Sequence, residues 1–262
     1  MRADATGELY SNGQRTFYFT NMLRLSDLTI IESRAALKDI PQGKVLINTI
    51  NAHSFNTAQK DKLFAEALKN GDYLIPDGAS IVKACRWLGC KSQPRERVAG
   101  WDLFEFEMAR LNAKGGRCMF MGSSEKVLAL IMEKARTAYP NIEVVTYSPP
   151  YKPEFTDGDN RAIIKAINDA DPDLLWIGMT APKQEKWTYA HWNELNIRCH
   201  VGTIGAVFDF FAGTAVRAPR WWQKHSLEWL YRLIKEPRRM WRRYVVGNPL
   251  FIRNVFKEKS GR

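Results

Sequence analysis

The sequence predicts an α/β protein: a Rossmann-like, mostly parallel sheet with helices on both faces, followed by a basic helical C-terminal appendage. Three observations carry that expectation. Short buried-strand patterns such as Lys44 to Thr49 (KVLINT) and Leu174 to Gly178 (LLWIG) alternate with segments of helical periodicity, the order that builds a parallel sheet. The chain has 262 residues, 45% of them hydrophobic, enough for one large domain with an appendage. Charge is segregated: the net charge is +11, and the segment from Arg217 to Arg262 holds 13 basic against 3 acidic residues, a surplus of ten. The expected division is a catalytic domain over 1–213 and an appendage over 214–262.

Residues 1–15 are polar, and Phe17 to Leu25 followed by Leu28 to Ile40 read as a short strand and a helix. KVLINT is the next strand, and Thr57 to Asn70 carries Leu63, Phe64, Ala67 and Leu68 at helical spacing before Gly71 stops it. The loop between them starts at the carboxyl end of a strand, where open α/β sheets bind ligands, so Thr49 and Asn51 are candidate site residues. Asn56 with Gln59 resembles a capping box, which leaves both of them free.

Asp72 to Ile75 is a second strand, ending at Pro76-Asp77-Gly78 before a helix from Ile81 to Leu88. Turn propensity alone explains that tripeptide. Its place at a strand's carboxyl end is what makes Asp77 a candidate. Arg97 precedes a helix from Trp101 to Asn112 and is free to pair in the neighbourhood of Glu96 or to point at a substrate. Strand Arg117 to Gly122, helix 125–138, strand Ile142 to Thr146, helix Asp159 to Ala170 and strand Leu174 to Gly178 continue the alternation. Gly122-Ser123-Ser124 resembles a small phosphate or ribose turn, but neither GxGxxG nor a Walker motif is present.

Gln184, in the first turn of the helix after Pro182, is expected to face the crevice shared by Thr49 and Asp77. A strand from Ile197 to Val201 runs into Gly202-Thr203-Ile204-Gly205, whose glycines would let backbone N–H groups approach a ligand, and Asp209 follows among aromatics.

On a helical wheel from Pro219 to Lys235, Trp222, Trp229, Leu230, Leu233 and Ile234 share one side, and Lys224, Glu228, Arg232 and Lys235 lie opposite. Such a helix docks on the body or lies in a membrane interface. Beyond Pro237, Arg238 with Arg242 and Arg239 with Arg243 form rows at i, i+4 spacing, suited to phosphate oxygens. No apolar run nears the roughly 20 residues that span a bilayer, and the first residues lack a secretory apolar region, so a cytoplasmic protein is expected. The four cysteines form no CxxC pair and the four histidines no ligand spacing, so neither disulfide nor metal is expected.

Eight motifs in order carry a resemblance: Thr49-x-Asn51-Ala52, Pro76-Asp77-Gly78, Glu96-Arg97-Val98-x-Gly100, Pro182-Lys183-Gln184-Glu185, Phe208-Asp209-Phe210-x-Ala212-Gly213, Arg217-Ala218-Pro219, Leu227-Glu228-Trp229-x-x-Arg232 and Glu236-Pro237-x-Arg239-x-x-Arg242-x-Tyr244. Over about residues 40–246 the chain resembles the WecG/TagA/CpsF family of bacterial glycosyltransferases. The resemblance implies transfer of a sugar (N-acetylmannosamine, its uronic acid, or glucose) from a UDP-sugar to a polyprenyl-diphosphate-linked glycan acceptor. It implies a metal-independent, cofactor-free enzyme, peripheral on the inner face of the cell membrane through its appendage, with a homo-oligomer allowed. By matching motif, Asp77 resembles the catalytic base, and Thr49 and Gln184 pocket residues. Asn51 and Asp209 resemble donor contacts, Arg97 a further substrate-binding position, and Arg232, Arg239 and Arg242 the diphosphate-binding arginines; Gly205 is a substrate-binding candidate on its glycine-rich turn alone. Asp157-x-Asp159 and Asp171-x-Asp173 have the DxD form, which helix capping at helix starts explains.

Two other classes compete. A basic membrane- or nucleic-acid-binding adaptor explains the tail but leaves Thr49, Asp77 and Gln184 without a purpose, and no nucleic-acid motif is present. A Rossmann oxidoreductase explains the sheet but not the arginines. The expected tail is conditional on an anion, and a cut after about Gly213 is expected to keep the fold.

Overall fold

The computed structural model describes residues 23–261 except 220, 223, 224 and 226, and at 239 the backbone alone. The expected strand from Phe17 to Leu25 lies mostly outside the described residues, as do parts of the expected helix from Pro219. Six strands, β1 (Val45–Ile50), β2 (Tyr73–Pro76), β3 (Gly116–Gly122), β4 (Ile142–Tyr147), β5 (Leu174–Gly178) and β6 (His200–Thr203), form one parallel sheet in the order β2-β1-β6-β5-β3-β4. The helices are α1 (Ala52–Ala58), α2 (Lys62–Lys69), α3 (Ala79–Leu88), α4 (Gly100–Lys114), α5 (Glu125–Ala138), α6 (Asp157–Ala170), α7 (Lys183–His191), α8 (Gly205–Ala212), α9 (Glu228–Lys235), α10 (Pro237–Trp241) and α11 (Gly247–Ser260).

Alternate strand residues feed two cores. Cys118, Phe120, Leu174 and Trp176 pack with residues of α4, α5 and α8, whereas Met119, Met121, Leu175 and Ile177 pack with α6 and α7. Strands buried on both faces must be apolar throughout, which is why they stand out in the sequence as unbroken runs. From adjacent β3 and β5 the chain departs in opposite directions, to β4 and to β6, so right-handed crossovers put α5 and α7 on opposite faces. A crevice therefore opens at the carboxyl edge of the sheet.

A third cluster gathers α1, α2, α3 and α11 around Ile50 and Leu74. Phe251 and Val255 of α11 are buried in it, and the Phe251 ring meets Phe55 edge-on at 5.6 Å. The Glu258 carboxylate accepts the backbone N–H of Leu25 at 2.9 Å and of Ser26 at 3.0 Å. The basic tail is thus divided: α11 belongs to the core, and the segment before it overhangs the cleft. A cut after Gly213 would remove Phe251 and Val255 and expose their partners, contrary to the expected independence of the tail.

Four local expectations change. Residues 28–40 form no α-helix: Leu25–Asp27 and Arg34–Asp39 are 3₁₀ turns, and Thr29 to Ile31 run extended beside β2, with Ile31 N–H donating to Leu74 O at 2.8 Å. The β-branched run Thr29-Ile30-Ile31 favours that extension. The helix expected from Thr57 is two helices, because Asp61 accepts the N–H of Phe64 and starts α2 afresh. Asn51, not Asn56, caps α1: it accepts from His53 and Ser54 N–H, with Ser54 completing the reciprocal pair. Asn51 is therefore not a free side chain, and Asn56 is buried, donating to Gly247 O and accepting from Asn254. The last strand starts three residues later than expected, at His200.

Candidate active site

The carboxyl ends of the strands, the first turns of α1, α3, α7 and α8, and the overhanging α9 and α10 enclose one cleft of about 2750 Å³. Thr49, Asn51, Asp77, Arg97, Gln184, Gly205, Asp209, Arg232 and Arg242 all line it. The side chain of Arg239 lies outside the described residues.

Asp77 sits where β2 ends. Its N–H donates to Ile50 O at 2.9 Å, tying the turn to the end of β1, and Val98 N–H donates to Pro76 O at 3.1 Å, which brings Arg97 alongside. Arg97 donates to Asp77 Oδ1 through both Nε (3.2 Å) and Nη2 (2.9 Å), and its Nη1 stands 2.9 Å from a Glu228 carboxylate oxygen. Burial by itself pulls the Arg97 guanidinium down, but the Asp77 and Glu228 carboxylates reverse this and hold it above its ordinary value. The acids that Arg97 pairs with are Asp77 and Glu228, not the neighbourhood of Glu96 that the sequence suggested. Because both contacts fall on Oδ1, Oδ2 of Asp77 has no protein hydrogen-bond partner among the described residues and is available to the cleft.

Glu228 is a residue that sequence reasoning gave no site role, placing it only on the charged side of the helical wheel and within a motif. A signal was present, since it is one of three acids among 13 bases in the tail. The stripe Glu228, Arg232 and Lys235 of α9 turns into the cleft, and Ile234 is left 62% exposed. The charged side therefore contributes to the cleft wall, together with Trp229 from the apolar side. Arg232 lies over the Phe210 ring at 5.8 Å.

Gln184 is buried and already bonded. Its Oε1 accepts from Met179 N–H and Gly205 N–H, each at 3.2 Å, and its Nε2 donates to Glu185 Oε1 at 2.9 Å. It joins the loop after β5 to the start of α8 beneath the cleft. Gly205 is small for the same reason: a Cβ there would lie 2.4 Å from Met179 O and 2.8 Å from Gln184 Oε1. Close packing, not open backbone for a ligand, explains this glycine. Asp209 is exposed at the cleft, with Oδ1 accepting from Thr214 Oγ1 at 3.2 Å.

Neither DxD sequence lines this cleft. Asp159 closes a capping box with Thr156 at the start of α6. Asp171 ends that helix instead of starting one, and Asp173 accepts Arg117 N–H at the opposite edge of the sheet. The Ser123 turn lines the cleft, with Ser124 capping α5.

The comparisons with known proteins agree with one another. The profile of the "Glycosyl transferase WecG/TagA/CpsF family" matches residues 21–262. An N-acetylglucosaminyldiphosphoundecaprenol N-acetyl-beta-D-mannosaminyltransferase of Bacillus subtilis (strain 168) is 30% identical over 217 residues, 83% of this chain and 81% of that protein. The protein of the same name from Bacillus spizizenii is 29% identical over 235 residues, 89% of this chain and 88% of its own length. That of Staphylococcus aureus (strain MW2) is 26% identical over 215 residues, 82% of this chain and 81% of its own.

Proposed function

This chain belongs to the WecG/TagA/CpsF family of glycosyltransferases, and from that premise we propose that it transfers N-acetylmannosamine from a UDP-sugar to a prenyl-diphosphate-linked N-acetylglucosamine, with inversion. The relatives' shared name supports the sugar and the acceptor. The observation that carries the mechanism is the arrangement of Asp77, with Oδ1 held by Arg97 and Oδ2 open to a cleft that Arg232 and Arg242 also line.

The acceptor hydroxyl attacks the anomeric carbon of the donor. A new carbon–oxygen bond forms as the bond from that carbon to the UDP oxygen breaks, and the bonding pair leaves on the diphosphate. The hydroxyl proton goes to Asp77 Oδ2. A single displacement inverts the anomeric centre, and because UDP leaves as an anion the second carboxylate of a glycosidase is unnecessary. Arg232 and Arg242 meet the charge gained by the diphosphate, a task guanidinium groups perform without a divalent cation. Asp209 and Asn51 are assigned to the nucleotide end, Asn51 through the helix start it caps.

The exposed apolar residues Trp221, Ile234, Trp241 and Val246, interspersed with arginines, support contact between the overhanging segment and an anionic membrane surface. One set of assays tests the reading. UDP release is measured over a panel of UDP-sugars with and without a prenyl-diphosphate N-acetylglucosamine, in EDTA, and sedimentation is measured with phosphatidylglycerol vesicles. The expected result is acceptor-dependent release from UDP-N-acetylmannosamine, undiminished by EDTA, and cosedimentation. A basic adaptor would cosediment without turnover, and a strict metal requirement would mean that the arginines do not carry the leaving-group charge alone.

A further inference from the structure

We propose that α3 and α11 form the binding track for the acceptor's lipid diphosphate, with Lys83 meeting the diphosphate and Trp87 and Phe256 the first isoprenoid units. The inference rests on the reading of the acceptor as a prenyl diphosphate, and it assigns to that ligand a surface outside the carboxylate and arginine cluster described above.

The geometry begins at Asp77. Helix α3 starts two residues later, and Ser80, Lys83, Ala84 and Trp87 recur at helical spacing along the side of α3 that lines the cleft. From Ser80 to Trp87 the helix advances about 10 Å, the order of length of a pyranose joined to a diphosphate. An acceptor whose hydroxyl lies at Asp77 and whose chain follows this stripe brings its phosphates past Lys83. Lys83 is exposed, and among the described residues it has no ion-pair partner. An ammonium group is a suitable point charge for a phosphate.

Beyond Lys83 the stripe becomes apolar. Trp87 is 44% exposed, Phe256 55% and Ile252 54%, and all three line the same cleft as Asp77. Trp87 and Phe256 meet edge to face at 4.8 Å across α3 and α11, and buried Phe251 and Val255 line the cleft between the helices. Lys259 stands at the outer end, its Nζ donating to Trp87 O at 3.1 Å. A carboxylate, then a cation, then exposed rings, in one continuous cleft, matches hydroxyl, diphosphate and isoprenoid in that order. A soluble nucleotide-sugar substrate has no use for the last part.

Equilibrium binding of farnesyl diphosphate and of inorganic diphosphate tests this without requiring turnover. Wild type should bind farnesyl diphosphate at least about tenfold more tightly than diphosphate. Trp87→Ala with Phe256→Ala should remove most of that difference while leaving inorganic diphosphate unaffected, and Lys83→Ala should weaken both ligands by several-fold. These side chains are exposed, so thermal midpoints near wild type are expected and confirm folding. The proposal is overturned if wild type shows no preference for the farnesyl ligand or if the preference survives in the double variant. It is also overturned if the variant loses only vesicle binding, which would make the rings a membrane contact. Failure of the sugar transfer with a normal farnesyl preference would count against the proposed reaction, not against the track.

Discussion

Asp77 illustrates what a single residue discloses. Pro-Asp-Gly reads as a turn, and only its place after a strand and its family motif single it out. What the sequence does not contain is the pair of Arg97 contacts to one carboxylate oxygen, since Arg97 lies 20 residues away. Changing Asp77 to Asn should lower kcat by roughly a hundredfold or more, with KM for the donor little altered, as for a lost general base. Asp209→Asn should do the reverse, mainly weakening UDP binding. Kinetic constants for both variants decide, and near-normal kcat for Asp77→Asn would remove it from the chemistry. Asn51 and Gln184 were legible as site-lining positions but not as bonded ones: Asn51 caps α1 through the N–H groups of His53 and Ser54, a local role that the sequence reading gave to Asn56, and Gln184 accepts from Gly205 N–H, 21 residues away. Glu185 was not legible at all. Burial pushes its carboxyl up to about 7 from an ordinary 4.5, with the hydrogen bond from Gln184 opposing. Between those values the folded protein holds a proton that the unfolded chain has lost, so stability falls as pH rises through that window. Thermal midpoints of Glu185→Gln and wild type should therefore diverge by several degrees between pH 5 and pH 7.5, in the variant's favour. A constant difference over that range would contradict the assignment.

At the scale of elements, the strands and the longer helices follow from apolar runs, caps and glycine stops. Helix α5 and strand β5 fall where their patterns put them, at Glu125–Ala138 and Leu174–Gly178. The errors arise where a tertiary contact decides or where a local cap competes with the helical period. Thr29 to Ile31 extend because β2 offers backbone partners, and α1 separates from α2 because Asp61 competes as a cap. Helix α9 shows a limit of amphipathic patterns. The wheel separates its charged and apolar sides correctly but cannot say that the charged side faces a cleft. Helix α11 has only a weak pattern, yet it places Phe251 and Val255 in the core, each side chain contributing roughly 1.5–3 kcal/mol by burial. The ion pair between Glu228 on α9 and Arg97 links the overhang to Asp77. Glu228→Gln should reduce kcat by about tenfold to a hundredfold, the scale for a misplaced catalytic group, with donor KM changed less, and Glu228→Asp should restore part of the loss. If Gln at 228 supports full turnover, the overhang does not position Arg97.

For the whole molecule, alternation of strands and helices foretells a parallel sheet, and a parallel sheet foretells a crevice at its carboxyl edge. The strand order β2-β1-β6-β5-β3-β4 is not encoded in any local pattern, and it is this order that gathers Thr49, Asp77, Gln184 and Asp209 around one cleft. The segregated charge likewise announces an anionic partner, while the division of the tail into an overhang and a core helix appears only in three dimensions. The central claim is that this cleft performs one direct displacement, with Asp77 taking the proton and UDP leaving. The most direct measurement is the anomeric configuration of the product, read by NMR after reaction of α-linked UDP-N-acetylmannosamine with a prenyl-diphosphate N-acetylglucosamine. The account predicts a β-linked disaccharide lipid and one UDP per transfer. An α-linked product would contradict it.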